Sequence, residues 1–145
     1  MQFSITVARK LALAYHAVCK PFCKELGLSQ TAFDILMFLG NNPAYKTASD
    51  IVEIRNIKAN LVSVNVERLV QDGYLVRRQV KDDRRKIELL CTQKAQPILA
   101  RGRAAQSAFA DRLFSNLDAD TYRAFLSALG CMEENLNKIL EEAEV

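Results

Sequence analysis

The sequence has few of the residues from which enzyme active sites are commonly built. It contains a single histidine, and its five glycines stand apart from one another, so no glycine-rich loop is present to hold a nucleotide phosphate. It also lacks the paired histidine–glutamate motif of zinc hydrolases and the Gly-x-Ser-x-Gly turn of serine hydrolases. We therefore expect a protein that binds a partner rather than an enzyme, with no cofactor and no metal site.

Long apolar runs are also absent. No stretch approaches the roughly 20 apolar residues that a membrane-spanning helix requires. The first residues include Arg9 and Lys10 and no small-residue cleavage site, so no secretion signal is predicted. The four cysteines form no Cys-x-x-Cys pair and no secretory framework, which favours reduced thiols. We expect a cytoplasmic protein that does not associate with membranes.

Positive charge is concentrated in one short segment. The formal net charge is only +3. Residues 77–86, however, carry six cations against the two acids Asp82 and Asp83, whereas glutamates cluster between residues 133 and 144. A basic segment inside a chain of modest net charge is typical of a localised surface for anions.

The N-terminal segment, Phe3 to about Leu26, has the periodicity of a long helix with two apolar stripes. A helix that is apolar on two sides must be covered on two sides, by its own domain and by a second subunit. Pro21 is expected to kink this helix or to start a new turn, because its ring clashes with the carbonyl four residues earlier.

The middle of the chain predicts three further helices, at about residues 29–40, 47–55 and 58–72. Ser29 can cap the first of them. Thr47 and Asp50 can form a variant of the capping box at the start of the second. Gly73 supplies the left-handed residue that ends the third.

After Gly73 the periodicity becomes that of strands. Tyr74–Val80 and Lys86–Thr92 predict a β-hairpin around a polar tip at residues 81–85. Two more helices are predicted, at about Gln93–Phe114 and Asp118–Glu142. The last has an apolar seam suited to packing against another helix, formed by Tyr122, Phe125, Leu129, Met132, Leu136 and Ile139.

This order of elements describes a mainly α-helical protein with a small β-hairpin wing. A short helix, a turn, a longer helix and a basic hairpin form a winged helix-turn-helix, in which the second helix fits a major groove. Val62, Val66 and Leu69 should face the core. The residues of this helix left for DNA are Lys58, Asn60, Leu61, Ser63, Val64 and Asn65. In the hairpin they are Arg77, Arg78, Lys81, Asp83, Arg84 and Arg85. The alternative is that the polar face of this helix is exposed to solvent and contacts no DNA.

Residues 26–95 resemble the MarR family of multiple antibiotic resistance regulators. The resemblance rests on Leu26-Gly27-Leu28-Ser29, on Ser63, on Glu67-Arg68-Leu69 and Gly73-Tyr74-Leu75, on Arg77, and above all on Asp83-Arg84-Arg85 with Thr92 nine residues after Asp83. It implies a triangular homodimer with intertwined terminal helices. It also implies a repressor that binds a pseudo-palindromic double-stranded DNA operator and is released by a small aromatic or phenolic ligand.

The resemblance makes the whole chain, residues 1–145, one MarR-like domain. It places the DNA-binding lobe at residues 28–92 and the dimerisation helices at 1–27 and 93–145. Arg85 matches the family's wing arginine, and Asp83 can preset the hairpin by binding nearby backbone groups. Three positions depart from the family pattern: Val64 replaces a basic residue, Arg55 an apolar one and Ala95 a glycine. Without a basic residue at position 64, the bases would be contacted by Asn56, Asn60, Leu61, Ser63 and Asn65.

Two further sites remain open from the sequence. Tyr15, Phe22, Phe33 and Phe38 are candidates for lining a ligand pocket, although aromatic residues at helical spacing are more often core. His16, Cys19 and Cys23 share one helical face and could sense redox state or metal, but core packing is the favoured interpretation of the cysteines.

Cys91 and Cys131 are interpreted as structural residues. A degenerate winged helix that binds a protein partner is the other functional alternative to a DNA-binding regulator.

Overall fold

The computed structural model describes residues 5–144, within which it has six α-helices and one antiparallel β-hairpin. The helices and strands are α1 (Ile5–Leu26), α2 (Gln30–Asn41), α3 (Ala48–Arg55), α4 (Ala59–Gln71), β1 (Leu75–Val80), β2 (Asp83–Cys91), α5 (Gln96–Leu113) and α6 (Ala119–Ala143). This order confirms the predicted fold class, mainly α-helical with a hairpin wing. The predicted helix start at Phe3 lies outside the described residues.

The chain divides into two compact units between Phe109 and Ala110, within α5. In the first unit the core is built around α2, which buries seven of its twelve residues. Helix α4 packs against both α2 and α3, and it contributes Val62, Val66 and Leu69 to the same core, as predicted. The proposed division into a DNA-binding lobe and a dimerisation region remains a prediction.

Local capping explains where the helices of the middle segment begin and end. The Ser29 side chain accepts a hydrogen bond from the Ala32 amide at the start of α2. Thr47 and Asp50 form a complete capping box at the start of α3. Gly73 follows α4 with a φ of 80°, the left-handed conformation that favours glycine. These three boundaries confirm the sequence prediction.

Two details of the helices refine the sequence prediction. Helix α1 continues through Pro21 as a single element, so the proline does not start a new helix, and the alternative expectation of a kink stays a prediction. Pro21 has no N–H to donate to the Ala17 carbonyl, so one backbone hydrogen bond of this helix is absent. The predicted helix from Gln93 begins with a 3₁₀ turn, Gln93–Ala95, before α5. Such tighter turns are frequent at helix ends, where backbone groups lack α-helical partners.

The second strand of the hairpin is longer, and the turn is tighter, than predicted. β2 begins at Asp83, so Lys81 and Asp82 alone form the turn. Gln79 pairs with Ile87, but Val80 pairs with Asp83, which leaves residues 84–86 as a bulge in β2. The predicted five-residue tip is therefore wrong, because the extra residues are absorbed into the bulge rather than into the loop.

The second unit consists of the end of α5 and helix α6. Phe114 packs edge-on against Tyr122 and close to Phe125, which ties the two helices together. Asp118 caps α6 by accepting a hydrogen bond from the Thr121 amide. Helix α6 buries none of its residues in the single chain. No helix in the described part of the chain is long and apolar enough to cross a membrane.

Candidate nucleic-acid interface

Helices α3 and α4 form the helix-turn-helix. Asn56 ends α3 in the left-handed conformation, with a φ of 51°, and this residue turns the chain toward α4. Asparagine tolerates that conformation better than most residues because its short side chain can hydrogen-bond locally. One face of α4 is buried against the core, and the opposite face is exposed. Asn56 and Lys58 are exposed at the entrance to α4.

Asn65 differs from the other predicted base-reading residues because its side chain already has partners. Its amide nitrogen donates to the Leu61 carbonyl at 2.8 Å. Its amide oxygen accepts from the Ser29 hydroxyl at 2.9 Å. The bond to Ser29 fastens α4 to the start of α2, and the bond to Leu61 lies within α4 itself. Asn60 and Ser63 are exposed, and neither side chain has a hydrogen bond to another described residue.

The hairpin cations predicted to contact DNA fall into two groups. Arg77 forms an ion pair with Glu67 at 2.8 Å, and Arg78 forms one with Glu88 at 2.6 Å. The side chain of Arg78 holds the pKa of the Glu88 carboxyl below its usual value, chiefly by hydrogen bonding to it. By contrast, the exposed side chains of Lys81, Arg84 and Arg85 form no ion pair within residues 5–144.

Hydrogen bonds stabilise the bulge and connect β2 to the segment before α3. The Asp83 carboxylate accepts from the Arg85 amide at 3.0 Å, which is the backbone contact expected for this aspartate. The Gln79 side chain donates to the Arg84 carbonyl at 3.3 Å. The Leu89 amide donates to the Lys46 carbonyl at 2.7 Å, so the segment before α3 is fastened to β2. The backbone of Arg84 and Arg85 is therefore held in place by hydrogen bonds to Gln79 and Asp83.

Sequence reasoning missed Glu67 and Glu88, which neutralise half of the predicted hairpin arginines. The Glu88 pair could have been found, because Glu88 lies directly opposite Arg78 in the strand register. The Glu67 pair joins α4 to β1 across ten residues of sequence, and only the packing of helix against hairpin brings these two side chains together.

The four aromatic candidates for a ligand pocket do not share one site. Phe22 and Phe33 pack edge-on against each other at 5.2 Å between ring centres, and Phe33 is completely buried. Tyr15 and Phe38 line a cavity of about 220 Å³. Phe22 and Phe33 are therefore core residues, as their helical spacing allowed.

The cavity at Tyr15 and Phe38 is mostly polar on its other sides. It is also lined by Asp34, Met37, Asn41, Asn42, Arg55 and Gln106. Burial raises the pKa of the Asp34 carboxyl, although Gln30 and Arg55 partly offset this effect. Burial also raises the pKa of Tyr15 to about 12, so its hydroxyl, which accepts a hydrogen bond from Gln106 at 2.9 Å, stays protonated.

The cysteines of α1 are core residues, as the favoured interpretation predicts. Cys19 and Cys23 are 1% and 6% exposed, whereas the side chain of His16 on the same helix is exposed. Burial raises the pKa of Cys19 and raises that of Cys23 to about 11, which disfavours the reactive thiolate. Cys91 is half-buried, but Cys131 is exposed in the single chain. Cys19 and Cys23 therefore give little support to redox sensing.

The fold and the exposed face of α4 place the chain in the class of winged helix-turn-helix proteins. Comparison with known proteins narrows this class. Residues 26–86 match the model of the MarR family. No curated protein matches the sequence significantly.

Solved structures extend the likeness over nearly the whole chain. A MarR-family transcriptional regulator from Listeria monocytogenes in complex with a 26-mer DNA superposes with a TM-score of 0.81 at 19% identity, over 94% of this chain and 90% of that one. A MarR transcriptional regulator from Methanosarcina mazei Go1 gives 0.76 at 21% identity, over 92% and 96%. Reduced MarR from E. coli gives 0.71 at 15% identity, over 91% and 97%.

These findings confirm the resemblance to the MarR family that the sequence indicated. The chain has the winged helix-turn-helix fold of MarR-family transcriptional regulators.

Proposed function

We propose that the chain is a sequence-specific regulator of transcription that binds double-stranded DNA as a homodimer. The observation that carries this proposal is the pairing of an exposed helix face with a basic hairpin beside it. Asn60 and Ser63 keep free hydrogen-bonding groups on α4, and Arg84 and Arg85 keep free charges on the hairpin. The Listeria relative crystallised with DNA supports the same partner.

In this proposal α4 enters the major groove and the hairpin lies against the neighbouring minor groove. Lys58, at the start of α4, and Lys81, at the hairpin turn, would contact phosphates. Arg84 and Arg85 extend from the bulge, and the negative potential of a narrow minor groove favours an inserted guanidinium. Arg77 and Arg78 contribute less, because DNA would have to replace the glutamates that already bind them.

Exposed apolar side chains support the homodimer. In the single chain Ile5, Leu11 and Leu13 of α1 are 83%, 43% and 52% exposed, and Leu136 and Ile139 of α6 are 55% and 58% exposed. Soluble proteins rarely leave such rows of apolar side chains in water, and obligate interfaces resemble a protein core cut in half. A two-fold dimer would present two recognition helices to the two half-sites of a pseudo-palindrome.

The finer proposal is a repressor that a small molecule releases from DNA. The cavity at Tyr15 and Phe38 is smaller than the roughly 300–1,000 Å³ of drug-binding pockets, so it suits a ligand of about one ring. Its wall includes Arg55, the last residue of α3, which pairs with Asp34 of α2 at 3.6 Å. A ligand that competes for either charge would act directly on the helix that precedes the DNA-reading turn.

Binding to the DNA upstream of the chain's own coding region tests this function, by fluorescence anisotropy over a series of salt concentrations. Log affinity should fall linearly with log salt, with a slope of about 0.9 per phosphate contacted. Lys81→Ala should reduce the slope, by about one for each phosphate that the variant no longer binds. Arg78→Ala should reduce it less. A slope close to zero would contradict the proposal and favour a winged helix that binds a protein partner.

A further inference from the structure

The exposed face of α4 carries two apolar side chains beside its polar ones. Leu61 is 46% exposed and Val64 is 68% exposed. They are three residues apart, so they are neighbours on the helix surface. Asn60 lies four residues before Val64 and borders the same patch. No cationic side chain occurs on α4 between Lys58, which precedes it, and Arg68.

Few polar side chains on this face of α4 are free to bind a partner, because others already form bonds within the protein. Both ends of the Asn65 amide are bonded within the protein, and Glu67 is paired with Arg77. Between residues 60 and 67 this leaves the amide of Asn60 and the hydroxyl of Ser63 to meet a partner. The remaining exposed surface of the patch is formed by the methyl groups of Leu61 and Val64.

The major-groove edges of the four base pairs differ in what they offer such a patch. Guanine is most often read by a bidentate arginine or lysine, which this face lacks. Adenine is read by asparagine or glutamine through its N6 and N7 atoms, and thymine exposes a C5-methyl group that favours apolar contact. The composition of the patch therefore matches A·T base pairs better than G·C pairs.

Resting on the proposed function, we propose that Leu61 and Val64 determine operator specificity by packing on thymine C5-methyl groups. In the same half-site, Asn60 binds adenine. Leu61 and Val64 are separated by roughly 4.5 Å along the helix axis. This separation is comparable with the stacking distance of about 3.4 Å between successive base pairs, so the two side chains can reach methyl groups on neighbouring base pairs. The centre of each half-site is then an A·T step.

The charges around the patch favour DNA over an apolar protein as its occupant. Lys58 precedes α4, and Arg84 and Arg85 extend from the bulge of the same lobe without an ion pair to any residue the structure describes. An apolar protein partner would leave these cations without a counter-charge, whereas the phosphates beside a major groove supply one.

The test uses the full chain and begins with selection from a duplex library of randomised sequence. The enriched duplex is then prepared with uracil in place of each thymine in turn, which removes only the C5-methyl group. At the contacted positions uracil should weaken binding about fourfold per half-site, as expected from the removal of one buried methyl group. Uracil at thymines in the flanks of the duplex is the matched DNA control and should have no effect.

Protein variants then assign the contact to a side chain. Val64→Ala and Leu61→Ala should each weaken binding to the thymine duplex, and each should abolish the uracil penalty at one position. Val64→Thr keeps the shape of the side chain but replaces a methyl group with a hydroxyl, and it should retain only part of the penalty. Both positions are exposed, so thermal melting should be unchanged in all three variants.

Three results would overturn the inference while leaving the proposed function intact. They are a selected half-site with G·C pairs at its centre, thymines that tolerate uracil, and a uracil penalty of equal size in the wild type and in both alanine variants. If no sequence is enriched, the proposed function fails and this inference fails with it.

Discussion

Asn65 and Arg85 are both predicted from the sequence to contact DNA, but their surroundings differ. The Asn65 amide is bonded to Leu61 and Ser29, so it stabilises the position of α4 rather than facing outward with free groups. The Arg85 side chain is exposed and forms no ion pair with another described residue, and its backbone amide donates to Asp83. At the scale of single residues, the sequence predicted where polar groups lie but not which of them already had partners.

Arg85→Ala should impair DNA binding far more than folding. The residue is exposed, so its removal should change the free energy of unfolding by no more than about 0.5 kcal/mol. The loss of binding should be roughly 1–3 kcal/mol per half-site. Lys20→Ala, which removes the same charge from α1, is the control for both the binding titration and the thermal melt. If Arg85→Ala binds selected DNA as tightly as the wild type, the hairpin contact proposed for Arg85 is wrong.

Cys23→Ser should destabilise the protein without changing its response to peroxide. Cys23 is 6% exposed, and a buried hydroxyl without a full set of partners costs about 1 kcal/mol or more. Cys131→Ser is the matched control, and on the exposed surface it should cost less than about 0.5 kcal/mol. Denaturant titration measures both variants. Peroxide that releases the wild type from DNA but not Cys23→Ser would establish the redox alternative.

At the scale of elements, α3 is a helix of only eight residues that depends on its N-terminal cap. The Asp50 carboxylate accepts hydrogen bonds from the Lys46 and Thr47 amides, at 2.9 and 3.0 Å. These bonds, with the Thr47 contribution largest, lower the pKa of Asp50. The Lys46 carbonyl in turn binds β2, so the cap connects the helix-turn-helix to the hairpin.

Asp50→Ala should therefore lower the free energy of unfolding by about 1 kcal/mol at neutral pH, the usual cost of losing a capping side chain. Because the pKa of Asp50 is lowered by folding, this contribution is present above the unfolded pKa of about 4 and is lost as the pH falls through the folded value. Denaturant titrations of wild type and variant should converge in strong acid. Glu53→Ala, an exposed change on the same helix, should show no such convergence.

At the scale of the whole molecule, the proposed homodimer accounts for apolar surface that a single chain leaves exposed. Leu136→Glu replaces a side chain that is 55% exposed in the single chain, so it should be harmless to a monomer but should disrupt a dimer that buries this face. Asn137→Glu, one residue along the same helix, is the matched control. Sedimentation at low micromolar concentration measures both, and a wild type that sediments as a folded monomer would contradict the dimer.

The sequence by itself determined the succession of elements and most of their boundaries. The caps at Ser29 and Thr47 and the left-handed residue at Gly73 act within a few residues of the chain, so their effect can be inferred from local spacing. The family resemblance followed from the same local signals, and the apolar spacing of α4 identified its buried face.

Only the tertiary structure decided which of the candidate side chains remain available. The pairing of Arg77 with Glu67, the bonding of Asn65 to Ser29, and the separation of Phe33 from the cavity at Tyr15 join residues from different elements. The bulge that carries Arg84 and Arg85 likewise depends on how β1 and β2 align. Hydrogen bonds and ion pairs act over a few ångströms, so their partners are fixed by packing and not by distance along the chain.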